Sequence, residues 1–236
     1  MSLRKRLFGD RKASSAGGEK STHSTRRSEL RDAWAAFDNA DFATAITAVR
    51  PYLGVADSKL SREARKLVAL AEFQQGNYSE SMVLFQGLAS VSADAADWFN
   101  VITSATLADE VATAEHALLI AIQCQNACGH AQQPSVNYMR YYFGCALCDC
   151  GQYDKAFRQL EELRLCYEQL MNTEDDFLIS KGMPTLMQCL TLASNVLQKL
   201  QATMDVQTWL VSFGVHLDEN GKRLLDELHR QFDFRL

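Results

Sequence analysis

Apolar residues recur at three- and four-residue steps along most of this chain, the period of helices that bury one face. Leu30, Ala33, Trp34 and Phe37 keep that spacing from a start near Ser28, and Leu67, Leu70, Ala71 and Phe73 keep it again. The clearest stretch is residues 138–163, which reads as two helices joined by a tight turn. Gly144 leaves room midway along the first of them. Gly151 ends it, because a residue without Cβ adopts the left-handed conformation at no steric cost. Tyr153 and Ala156 open the second helix, with Ala156 where the two must come closest.

The same order of residues returns upstream. Phe42 and Ala45 follow Ala40, and Tyr78 and Ser81 follow Gly76, with Phe85 on the core face. Asp109 stands at a turn before Ala114 and Ala121, in a unit that opens at Asp94 or Asp97 and carries Trp98. The small positions Ala45, Ser81, Ala114 and Ala156 are separated by 36, 33 and 42 residues. The extra length in the last interval falls in the polar connector 126–133, before Pro134. The first unit is degenerate, with Pro51 late in its second helix; Ser61 is a weak N-cap for the helix that follows.

This turn–aromatic–small pattern resembles the tetratricopeptide repeat, a helix–turn–helix unit of about 34 residues that stacks into a solenoid. The resemblance covers residues 28–171 in about four divergent units. It implies an all-α right-handed superhelix whose concave groove is lined by the first helix of each unit. The groove positions it implies are Trp34, Phe37, Lys66, Leu70, Phe73, Phe99, Thr103, Thr106, Tyr138, Tyr141, Cys145 and Cys148. Aromatic anchors dominate that set, as in grooves that take an apolar helix or an extended peptide. One subset of the family grips acidic C-termini through Lys, Arg and Asn. Here Trp34 and Leu67 stand where that clamp uses Asn, and the middle units lack basic residues, so acidic tails are disfavoured.

After Met171 the motif fades into an acidic loop at 172–176. A helix through Met187, Leu190, Leu192, Val196 and Leu200 is expected after Pro184, with shorter ones at 206–213 and 219–232. Residues 172–236 are then a cap for the exposed end of the solenoid, or a fifth degenerate pair.

Charge is unevenly spread. The net value is −5. Residues 1–31 carry nine Lys/Arg against three Asp/Glu, and the rest of the chain carries 15 against 26. From Leu67 to Met139 there is no Lys or Arg, beside seven acidic residues. Such a body cannot neutralise phosphates, which disfavours nucleic acid as its ligand. The excess negative charge keeps the body soluble, or it meets a basic partner or this chain's own basic segment. Residues 1–27 hold too little apolar surface to offset ordering entropy and read as a disordered tail. Leu3, Leu7 and Phe8 among five basic residues suit weak contact with an anionic membrane or an acidic protein surface.

Candidate chemistry is thin. Cys124, Cys128, Cys145 and Cys148 have ligand-like spacings, but antiparallel helices put the two pairs on the order of 10 Å apart along the axis. The Cys145-Ala-Leu-Cys148 run lies in the latter half of a helix, away from the N-terminal dipole that activates a redox thiol. The five histidines enter no catalytic motif, and no phosphate loop or nucleophile elbow is present. Seven cysteines without a disulfide framework, no apolar run of about 18 residues and no secretory leader fit a cytoplasmic protein. The expectation is a non-enzymatic adaptor or scaffold without cofactor or metal. Its rivals are a structural subunit of a homo-oligomer or larger assembly, with the basic tail on an acidic neighbour, and a cysteine-based enzyme or metal sensor.

Overall fold

The computed structural model describes residues 28–92, 95–128, 134–200 and 206–232. The described residues form twelve α-helices and two short 3-10 turns, with no strand. A 3-10 turn at Ser28–Leu30 leads into α1 (Arg31–Asp38) and α2 (Phe42–Val49). Pro51 lies in a second 3-10 turn, Arg50–Tyr52, so α2 stops at Val49 rather than running through the proline. Then come α3 (Ser58–Gln75), α4 (Tyr78–Ala89), α5 (Ala95–Leu107) and α6 (Val111–Ala127). The later helices are α7 (Val136–Asp149), α8 (Tyr153–Leu170), α9 (Asp175–Ser180), α10 (Leu186–Leu200), α11 (Val206–Val215) and α12 (Glu219–Phe232). The basic segment 1–27, Asp94 and most of the polar connector lie outside the described residues.

Four turns share one geometry. Ala40, Gly76, Asp109 and Gly151 all have positive φ, at +62°, +90°, +64° and +74°. Each N–H bonds the carbonyl three residues back, and the next N–H reaches the carbonyl five back, as in Gly76→Phe73 and Asn77→Glu72. This pairing satisfies the last carbonyls of the helix and reverses the chain. Ala45, Ser81, Ala114 and Ala156 then sit in the first turn of the next helix, each without solvent exposure. Each donates its N–H to the carbonyl four residues back. Ser81 fits the buried position because its hydroxyl donates to the Ala69 carbonyl of α3 at 2.9 Å.

Alanine at φ +62° is strained, since its Cβ crowds the neighbouring carbonyl by about 1–2 kcal/mol. Ala40→Gly is therefore expected to raise the stability of the first unit by about 1 kcal/mol. Urea denaturation followed by circular dichroism reads this directly; a loss of stability would show that Ala40 is not strained.

Contacts divide the chain into two units, Met1–Ala117 and Leu118–Leu236. In the first, α1 packs on α2, α2 on α3, α3 on α4 and α4 on α5. Leu30, Trp34, Phe37, Val49, Leu60 and Leu67 form the core of its first three helices. Asp57, not Ser61, caps α3, accepting from the N–H groups of Lys59 and Leu60. The Ser61 hydroxyl instead donates to the Leu53 carbonyl at 2.7 Å, tying the inter-helix link to the first turn of α3.

In the second unit α7 packs on α8, and α10 packs on α7, α8 and α12. Phe143, Leu147, Leu160, Leu163 and Tyr167 are wholly buried. Gly144 is needed where α10 crosses α7: a Cβ there would meet Leu192 Cδ2 at 3.0 Å, while Gln159 Cβ and the Ala156 carbonyl of α8 lie at 3.7 and 4.0 Å. Ala156→Leu is expected to cost about 1–3 kcal/mol, because the side chain would enter a contact with no spare volume. An unchanged thermal midpoint would mean that the helices do not close on Ala156.

The acidic stretch expected as a loop after Met171 is partly helical. Glu174 is the N-cap of α9, with Asp175 and Asp176 in its first turn, where negative charge complements the helix dipole. Periodicity has no hold on a helix of six residues. The three later helices, α10 to α12, fall where the apolar pattern placed them.

Candidate functional site

The groove positions implied by the repeat resemblance divide by burial. In the first unit Trp34 and Phe37 belong to the core, their rings meeting edge-on at 5.6 Å. The Trp34 indole N–H donates to Glu63 Oε1 on α3 at 3.2 Å. Phe73 is 2% exposed and meets Tyr78 edge-on at 5.3 Å across the α3–α4 turn. Thr103 and Thr106 are buried on α5, and their hydroxyls donate to carbonyls of that helix. Removing apolar area from water favours the interior over an open groove for these side chains. Five implied groove residues of this unit are thus interior ones.

Three positions keep an accessible surface. Lys66 and Leu70 are half-buried one helical turn apart on α3, and Phe99 is half-buried on α5. Next to it in sequence, the Trp98 indole N–H is buried without an acceptor among the described residues. The second unit repeats the division. Tyr141 and Cys145 are buried on α7, while Tyr138 and Cys148 remain half-buried. Burial, and then the nearby Asp175, push the Tyr138 phenol above its ordinary range, so it stays a neutral donor at neutral pH.

None of the seven cysteines is in a disulfide. Burial pushes the Cys189 thiol up to about 12, reinforced by Cys145 and opposed by a hydrogen bond with Tyr167. Cys166 is raised too, chiefly by burial, with Arg140 pulling the other way. Thiols held protonated in this way are poor nucleophiles and poor metal ligands. Among the described residues, no three His, Cys, Asp or Glu side chains gather into a ligand set.

One feature of the first unit is missing from the aromatic groove set. Short links between packed neighbours make consecutive helices from α1 to α5 antiparallel, so the α1–α2 and α3–α4 turns and the turn that closes α5 lie at one end. Those turns carry Asp38 and Asp41, Glu72 and Glu80, and Asp109 and Glu110, of which only Glu72 is partly buried. Arg50, Lys59, Arg62 and Arg65 lie at the opposite end. Local helix physics explains half of the acidic residues. Asp41 caps α2 through the Thr44 N–H at 3.1 Å, which holds its carboxyl below the usual range, and Glu80 and Glu110 flank the starts of α4 and α6. Asp38, Glu72 and Asp109 instead close α1, α3 and α5, where negative charge opposes the dipole by about 0.3–1 kcal/mol each. The absence of Lys and Arg after Lys66 was the signal for this end, although the turn positions were not.

Among the described residues no helix is long and apolar enough to cross a membrane. No protein-family model, curated protein or solved structure matches this chain.

Proposed function

We propose that this chain is a non-catalytic protein-interaction scaffold built on tetratricopeptide-like repeats. The observation that carries the reading is the fourfold recurrence of one turn, with a left-handed residue followed five positions later by a fully buried small residue. A repeat of that kind exists to stack and to present its helices to a partner. In the first unit the partner surface takes in Lys66, Leu70 and Phe99; in the second, taken by itself, Tyr138 and Cys148 keep accessible area. The interior aromatics hold those helices in place.

The partner is an apolar helix or extended peptide with basic flanks. Leu70 and Phe99 supply the apolar contact, and the acidic turn end attracts the flanks. Seven cysteines outside any disulfide suit a reducing compartment, and we assign the protein to the cytoplasm. The second reading is a homo-oligomer in which the basic segment 1–27 of one copy meets the acidic end of another. The opposite charges of these two parts of the chain favour it.

Capture from native extract tests the first reading, with the full-length chain as bait beside its Phe99→Ala and Leu70→Ala variants. A partner enriched on the wild type and depleted on both variants is expected; equal recovery on all three would refute the assigned surface. Light scattering after size exclusion separates the second reading, which requires a multimer that falls apart when salt screens the contact.

A further inference from the structure

Thr173 lies between α8 and α9, and its environment is unlike that of its neighbours. Met171, Glu174, Asp175 and Asp176 are exposed, whereas Thr173 is wholly buried. Its hydroxyl donates to Asp218 Oδ1, and its N–H donates to Asp218 Oδ2 at 2.9 Å. Asp218 also accepts from the Gly221 N–H at 2.8 Å, capping the first turn of α12. The Asn220 amide closes the arrangement, donating to the Thr173 carbonyl and hydroxyl oxygens at 3.2 Å. Gly221 is required here, because a Cβ would meet Leu217 Cβ at 2.9 Å and Thr173 Cγ2 at 3.0 Å. Burial raises the Asp218 carboxyl, but the hydrogen bonds from Thr173 and Gly221, with Lys222, outweigh it and hold the group ionised. One threonine thus fastens the α8–α9 loop to the start of the last described helix.

The sequence adds a second observation. Thr173 is the only serine or threonine of the chain followed by three consecutive acidic residues, Glu174, Asp175 and Asp176. Their carboxylates point to solvent, where a kinase with a basic substrate groove reads them by charge complementarity. The recognition element faces outward while the acceptor hydroxyl faces inward.

We propose that Thr173 is a phosphorylation-gated latch: an acid-directed serine/threonine kinase modifies it when the loop opens, and the phosphate keeps the loop from closing. In the step, Thr173 Oγ1 bonds to the γ-phosphorus of ATP, and the bond from that phosphorus to the β,γ-bridging oxygen breaks. The hydroxyl proton passes to the kinase's catalytic carboxylate and ADP leaves. The product cannot return to its place. The pocket has no room for three more oxygens, and the dianion would face the Asp218 carboxylate. The start of α12 then loses its fastening to the second unit.

The test treats the full-length chain with ATP and an acid-directed serine/threonine kinase, and reads Thr173 by peptide mass mapping. Wild type is expected to take phosphate slowly. Asp218→Ala should take it about tenfold faster, the change in open population that follows loss of a charge-assisted hydrogen bond. Circular dichroism checks that Asp218→Ala keeps its helicity. If it does not, Asp218→Asn, which retains one acceptor oxygen, carries the comparison and should also exceed wild type. Hydrogen exchange on the phosphorylated wild type should show lost protection over residues 218–224, with the α7–α8 pair still protected. No phosphate on Thr173 in any form, equal rates, or unchanged protection after phosphorylation would overturn the proposal.

Discussion

Tyr167→Ala is expected to lower the unfolding free energy of the second unit by about 3–5 kcal/mol, as for other large-to-small aromatic truncations in cores. Tyr167 is wholly buried on α8, and its ring packs at a tilt against Phe213 of α11, with centroids 6.2 Å apart. Its hydroxyl donates to the Pro184 carbonyl at 2.8 Å, just before α10 begins. One side chain therefore joins α8, the entry to α10, and α11. Desolvation drives the phenol well above its ordinary range, so the group acts as a neutral donor throughout the accessible pH range. Tyr167→Phe separates the two contributions: it keeps the ring and should cost only about 1 kcal/mol for the lost hydrogen bond. Urea denaturation of both variants provides the check, and a Tyr167→Ala loss no larger than that of Tyr167→Phe would show that the ring fills no core.

The second large effect is expected at Arg62 in the first unit. From α3 its guanidinium pairs with Asp97 on α5 and donates to the Leu88 carbonyl near the end of α4 at 3.1 Å. Asp97 has a side chain only 5% exposed, while Arg62 is 37% exposed. Arg62→Met would keep the aliphatic packing but leave a buried carboxylate without its cation. The cost should be about 3 kcal/mol, the lower end for breaking a buried pair, because water reaches the arginine side. Adding Asp97→Leu should restore most of the loss, since an apolar pair of similar volume no longer carries a desolvated charge. The double-mutant cycle reads the coupling directly. An Arg62→Met variant as stable as wild type would mean that solvent, not Arg62, satisfies Asp97.

Much of the architecture was legible because it rests on local rules. A left-handed residue, then an aromatic, then a small residue marks a reversal between close helices, and Gly76-Asn77-Tyr78 and Gly151-Gln152-Tyr153 state it plainly. Ala40 was harder, since alanine does not advertise a positive φ, and Asp109 advertises it less than glycine does, yet their spacing to Ala45 and Ala114 placed them. The surface was less legible. Helical periodicity says which face leaves solvent, not which neighbour covers it. Trp34, Phe37, Phe73, Tyr141 and Cys145 are therefore core where a groove was expected, and Lys66, Leu70, Phe99 and Tyr138 keep accessible area. The pairs that join distant segments, Arg62 with Asp97 and Thr173 with Asp218, lie 35 and 45 residues apart and leave no periodic trace. Neither does α9, which is shorter than two turns.

The scaffold reading is tested most directly by titrating the captured partner into the full-length chain and its Phe99→Ala variant, with thermal melts of both. Binding weakened by at least about 1 kcal/mol, roughly fivefold, is expected in a variant that keeps its helical content and its melting temperature. Unchanged affinity would contradict the scaffold reading, as would intact affinity in a variant whose stability has dropped by about 3–5 kcal/mol, the mark of a core phenylalanine.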